Sequence, residues 1–117
     1  YGYAVEYDMV WPTQIRSTLE TKKIADFAHI FGLPMANHNT GSQVCTYASA
    51  QWAASIRDYM ALETVTGEGG WMDQVLTLDG PYIKDGFIQV TGKPGLGIVL
   101  NPDVVRAHLV QGETWWG

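Results

Sequence analysis

Residues 18–65, TLETKKIADFAHIFGLPMANHNTGSQVCTYASAQWAASIRDYMALETV, decide the fold. Ser17, three residues before Glu20, has the spacing of a capping box. Behind it Leu19, Ile24, Phe27, Ala28 and Phe31 recur on one helical face, and Gly32 is the stop. LPMAN is a short apolar run of strand length, closed by the polar turn His38-Asn39-Thr40-Gly41-Ser42. A second helical stretch, QVCTYASAQWAASIRDY, sets Val44, Tyr47, Ala48, Trp52 and Ile56 in register, and MALETV is again strand-like. Upstream, YGYAVEYDMVW (1–11) is aromatic and Val-rich and stops at Pro12, as a strand halted by proline would. Residues 1–65 therefore read as βαβαβ with short connections, an α/β arrangement of parallel strands and right-handed crossovers.

Three parallel strands with two crossover helices leave one sheet face and both edges without partners. If the strands belong to a partial (β/α) TIM-type barrel, the missing strands would close it, and such a barrel needs about 250 residues. The chain has 117, less than half of one.

Residues 66–117 change character and read as a return segment within one unit spanning 1–117. TGEGG is a turn and WMDQVL one or two helical turns. The period-two segments around Asp85-Gly86 signal a β-hairpin, and PGLGIVL is extended. Asn101-Pro102-Asp103 supplies an N-cap, an N1 proline and a first-turn acid ahead of a short helix in VVRAHL. GETWWG carries no assignment.

Composition narrows function. Seven Lys and Arg against twelve Asp and Glu give a net charge of -5 with no basic run, which argues against nucleic acid. The lone Cys45 cannot form an internal disulfide, and neither a membrane-length apolar span nor a basic-then-apolar leader is visible, so a cytoplasmic protein with no membrane partner is expected. Five Trp, six Tyr and three Phe suit a dense core or surfaces made for burial against something else.

His38 stands where LPMAN ends, which in a barrel is the C-terminal mouth where catalytic groups sit. An imidazole there can take and return a proton, or simply cap the next helix and bind water. Glu63 ends the next strand, where it could hydrogen-bond a developing oxyanion or merely face solvent. Successive strand ends project toward one mouth, so the two are expected to be neighbours. Thr13 takes the equivalent place on the first strand, where its hydroxyl could orient a partner or contact substrate. His29 and His108, near the C-terminal ends of helices, are read as structural, and Cys45 as a packed thiol. No zinc spacing appears, and PGLG lacks the GxGxxG spacing of a phosphate cradle.

The order of these features, ETKKIADFAHIFGLP, a strand closing on His38, a strand ending on Glu63, then DGFIQVTGKPGLGIVLNPDVV, resembles the C-terminal part of the mandelate racemase and muconate lactonizing enzyme family of the enolase superfamily. The likeness runs from about Asp8 to Leu109, and KKIADFAHIFGLPMANH together with KPGLGI is its most specific part. It implies a modified (β/α)₇β-barrel with a separate capping domain. It also implies a Mg2+ ion that holds a substrate carboxylate while a base removes the neighbouring α-proton. By position, the strands ending at Thr13, His38 and Glu63 resemble the sixth, seventh and eighth of that barrel. His38 then matches the base or acid, and Glu63 the group that hydrogen-bonds the enolate-forming carboxylate. No lysine lies near Thr13, which disfavours the lysine-using branches. Thr13 itself occupies the place of an aspartate that pairs with the histidine, and the Mg2+ ligands belong to strands outside this chain.

The resemblance implies the C-terminal portion of an acid-sugar dehydratase, or a racemase, acting on a small carboxylate or acid sugar and active only with the missing part of the barrel and Mg2+. Racemisation needs bases on both faces, and one is visible. The alternative is a noncatalytic module that self-associates into a homo-oligomer.

Overall fold

A computed structural model describes residues 5–8, 18–64 and 70–116, of which 5–8 are described by their backbone. Thr13, Pro12, Ser17 and most of TGEGG, all given roles above, lie outside the described residues.

Strand β1 (Val5–Asp8), helix α1 (Thr18–Ile30), β2 (Met35–His38), α2 (Gln43–Ala53) and β3 (Tyr59–Leu62) follow one another. The three strands form one parallel sheet in the order β1-β2-β3. Asp8 sits opposite His38 in the β1–β2 register. A register shift between Met35 and Ala36 pairs Met35 with Tyr59 but Ala36 with Ala61. This bulge leaves Met60 as the extra residue and keeps the two strands' faces in step beyond it.

Alternation along β2 then sorts the side chains. Met35 and Asn37 are buried, while Ala36 and His38 are only partly so. Met35 packs with Ala25, Ala28 and Trp52 in a cluster that Ile24, Leu33, Ile56 and Tyr59 extend. Met35 and Asn37 thus face the helices, and His38 lies on the opposite face.

Helix α1 ends as its glycine predicts. The Gly32 and Leu33 amides donate to the carbonyls of His29 and Ala28, the bond pair of a Schellman motif. Its buried face differs from the expected one. Thr21, Ala25 and Ala28 are buried, whereas Leu19, Phe27 and Phe31 are 61%, 64% and 63% exposed. Small side chains face the sheet because α1 must lie close to both Met35 and α2, and the bulky residues fall outside that contact; Phe27 and Phe31 instead meet edge to face.

Helix α2 is shorter than the apolar register suggests, ending at Ala53, so Ile56 reaches the core from the following loop. It buries Gln43, Thr46, Tyr47, Ser49, Ala50 and Trp52, more than a single stripe, because it is covered on two sides. Trp52 belongs to the sheet cluster, while Tyr47 joins Val75 and Leu76 in a second one completed by Tyr82, Ile98, Leu100, Val104 and Val105.

The second cluster is built by the return segment. A 3-10 turn (Trp71–Gln74) leads into β4 (Leu76–Thr77), which pairs antiparallel with β5 (Val99–Leu100). The expected hairpin is reduced to a single Lys84–Phe87 bridge across a turn with positive φ at Asp85 and Gly86. Helix α3 (Pro102–Ala107) is capped by Asn101, whose side chain accepts from the Asp103 and Val104 amides. His108 is therefore the residue after the helix, its ring stacked on Trp71 at 4.3 Å. His29 pairs with Asp58 on the loop before β3, in keeping with a structural role.

Two measurements test this packing. Trp52, 3% exposed, fills the sheet cluster, and Trp52→Ala is expected to lower the unfolding free energy by about 3–5 kcal/mol, read as a fall in urea midpoint. Burial pushes the Tyr59 phenol, which donates to Asn37 Oδ1 at 3.0 Å, up to about 12. A folded-state value above the ordinary 10.0 favours the neutral phenol, so its contribution to stability holds below pH 10 and is lost as pH rises through about 12. Urea midpoints measured across that window should fall less steeply in Tyr59→Phe than in the parent.

Candidate active site

The C-terminal ends of β2 and β3 carry the two side chains picked out from the sequence. Glu63 lies one residue past β3, and its amide donates to the Asn37 carbonyl, prolonging the parallel ladder by one step. His38 is the last residue of β2. The ladder brings them together: His38 Nε2 stands 3.2 Å from Glu63 Oε2. Both remain open to solvent, with the His38 and Glu63 side chains 31% and 49% exposed.

A half-exposed carboxylate on a strand end has many rotamers, and here a second bond restricts them. The Asn39 amide donates to the same Glu63 oxygen at 3.0 Å. Asn39 is in turn fully buried and held at both ends of its side chain. Its Oδ1 accepts from the Gly41 amide at 3.2 Å, and its Nδ2 donates to Thr46 Oγ1 at 2.7 Å. Thr46, 1% exposed on the first turns of α2, donates a hydrogen bond from its own hydroxyl to the Ser42 carbonyl at 3.3 Å. Donor and acceptor roles are thus fixed along the whole chain from α2 to Glu63.

The same turn has no room to relax. A Cβ placed on Gly41 would lie 2.7 Å from Cys45 Cβ and 3.1 Å from its Sγ, so the loop passes flush against α2 and needs glycine there. Cys45 is half-buried and forms one wall of this approach.

His38 and Glu63, named from sequence, share one site; Thr13 lies outside the described residues. Asn39 and Thr46 were not anticipated. The signal for Asn39 was present in the Asn-Thr-Gly-Ser run, since an Asn two residues before a Gly can accept from the Gly amide in an Asx turn. Thr46 gave none, because a threonine outside the register of Val44, Tyr47, Ala48 and Trp52 looks like a solvent-facing position.

Chemically, an imidazole nitrogen and a carboxylate oxygen at hydrogen-bond distance, open on one side, can accept, hold and return one proton. Among the described residues no three His, Cys, Asp or Glu side chains converge as a metal-binding group. Nor is any described helix long and apolar enough to cross a membrane.

Known proteins share this architecture. The chain is 44% identical over 95 residues to D-xylonate dehydratase of Haloferax volcanii, a match covering 81% of this chain and 23% of that enzyme. It is 31% identical over 101 residues to D-gluconate/D-galactonate dehydratase of Picrophilus torridus, covering 86% and 25%. The chain thus spans about a quarter of the length of these relatives. The crystal structure of a mandelate racemase/muconate lactonizing enzyme-like protein from Rubrobacter xylanophilus superposes with a TM-score of 0.76 at 29% identity, over 86% of this chain and 26% of that one. A stretch of 29 residues is also 62% identical to the tRNA uridine 5-carboxymethylaminomethyl modification enzyme MnmG of Aliarcobacter butzleri, but it covers only 25% of this chain and 5% of that enzyme. The family model for the enolase C-terminal domain, a TIM-barrel-type domain, matches residues 4–104, and together with the dehydratase and racemase-like relatives it shows that this chain belongs to the enolase C-terminal domain-like family.

Proposed function

We propose that the chain is the C-terminal part of the barrel of an acid-sugar dehydratase, with His38 as its general acid and base and Glu63 as the carboxylate that works beside it. The observation that carries this reading is the 3.2 Å approach of His38 Nε2 to Glu63 Oε2 at adjacent strand ends. The relatives named as dehydratases of xylonate, gluconate and galactonate point to polyhydroxylated carboxylic acids as the substrate class.

In this reading His38 removes the proton α to the substrate carboxylate. Charge then develops on that carboxylate, and Glu63, acting as the acid beside the histidine, hydrogen-bonds one of its oxygens. Loss of the β-hydroxyl needs a proton as well, and the imidazolium just formed can return it, so that water leaves. The enol left behind tautomerises to a 2-keto-3-deoxy acid. One histidine serves both transfers, which suits elimination better than racemisation.

The Mg2+ implied by the family finds no ligand set among the described residues. The ligands would come from the remaining strands of the barrel. Those strands would also pair with the edges of β1 and β3, which have no further strand among the described residues.

Exchange of the substrate α-proton with solvent, followed by NMR in the completed barrel, tests the role of His38: His38→Ala should reduce it by at least about a hundredfold, the usual scale of a general base. Retained exchange would remove the histidine from the reaction. Native mass spectrometry tests the assembly. A complex with a larger polypeptide is expected, and a homo-oligomer of 12.9 kDa chains would replace this reading by a self-associating, noncatalytic module.

A further inference from the structure

We propose that Asn39 and Thr46 are positioning residues for this site: the buried side-chain chain from Thr46 through Asn39 fixes the direction of the Asn39 amide, and that amide sets the Glu63 carboxylate against His38. The inference rests on the assignment of His38 and Glu63 to the reaction.

The argument starts from burial. Asn39 and Thr46 are 0% and 1% exposed, and a buried amide or hydroxyl costs free energy unless its bonds are made. Here they are made in one sense only. Thr46 Oγ1 accepts from Asn39 Nδ2 at 2.7 Å while donating to the Ser42 carbonyl, and Asn39 Oδ1 takes the Gly41 amide at 3.2 Å. Reversing the Asn39 amide would face its NH2 toward the Gly41 N–H, so the side chain has a single orientation.

The consequence reaches the exposed end of the chain. Glu63 is half-exposed and would otherwise sample several rotamers, yet its Oε2 meets two groups from neighbouring positions on β2 and its loop, the Asn39 amide at 3.0 Å and His38 Nε2 at 3.2 Å. The Asn39 amide is rigid only because its own side chain is anchored to α2. Catalytic geometry at the strand ends is therefore held from the helix that follows β2, through a threonine that touches neither His38 nor Glu63 in the bonds described. A fixed geometry of this kind matters because displacements of about 1 Å can cost on the order of a hundredfold in rate.

The test uses the isotope-labelled chain and the variants Thr46→Val, Thr46→Ser, Asn39→Asp and Glu63→Gln, read by NMR. The readouts are hydrogen exchange and chemical shift of the Asn39 amide and the ring 15N shifts of His38. Thr46→Val and Asn39→Asp should speed exchange of the Asn39 amide by roughly tenfold, the factor carried by one ordinary hydrogen bond, and move the His38 ring signals. Thr46→Ser keeps the hydroxyl and should restore both. Glu63→Gln leaves the buried bonds intact and should shift both the Asn39 amide and the His38 ring, the two groups that meet its Oε2, and it serves even where Thr46→Val does not fold. Parent-like Asn39 and His38 signals in a folded Thr46→Val, or an unmoved Asn39 amide in Glu63→Gln, would overturn the proposal. Failure of the catalytic reading shows separately, as α-proton exchange that survives His38→Ala.

Discussion

The enclosure of α2 on two sides is the constraint from which the rest follows. Trp52 near one end of the helix closes the cluster between sheet and α1, and Tyr47 near the other closes the cluster made by the return segment. A helix so placed has no free solvent face for its polar residues, so Gln43, Thr46 and Ser49 are buried. They must bond inward. Gln43 does so by donating to the Asp73 carbonyl at 2.8 Å, tying α2 to the 3-10 turn, and Thr46 by joining the loop that follows β2. Packing thereby dictates polar connections, and these connections shape the candidate site.

The site is accordingly a product of three separate layers of causation. The parallel register of β2 and β3 sets where His38 and Glu63 emerge. The alternation of β2 sends His38 to the face away from the helices. The loop at Asn39–Gly41, pressed against Cys45, then determines where a backbone amide can reach the carboxylate. A strand register is robust to substitution, whereas the loop depends on a few buried polar atoms.

How much of this could be read from the sequence depended on the range over which each feature is encoded. Gly32 as a helix stop, Asn101 as a cap and the turn at Asp85-Gly86 are local, and each was legible because one residue type satisfies one backbone need. The neighbourhood of His38 and Glu63 was also legible, since parallel strands end together. The burial of α1 was not: its hydrophobic residues announce a face, but how close α1 comes to the sheet is decided by Met35 and α2, and close approach selects Thr21, Ala25 and Ala28 instead. The β4–β5 pair was invisible for a related reason. Two residues on each side carry no periodicity, and the pairing is fixed by the common packing of Leu76 and Leu100 on Tyr47. Asn39 was readable as a turn former, whereas its bond to Thr46 depends on where α2 lies.

The split of α2 between two clusters also orders events during synthesis. The residues that surround Trp52 lie between Ile24 and Tyr59, so that cluster can close as soon as β3 has left the ribosome. Tyr47 has little such early cover: apart from Val44 on its own helix, the other members of its cluster run from Val75 to Val105. From the moment α2 forms, the nascent chain carries an aromatic surface whose main cover is still to be made, and translation must proceed almost to the end of α3 before that cluster is complete. In this fold a segment made later acts as the fastening of an element made well before it.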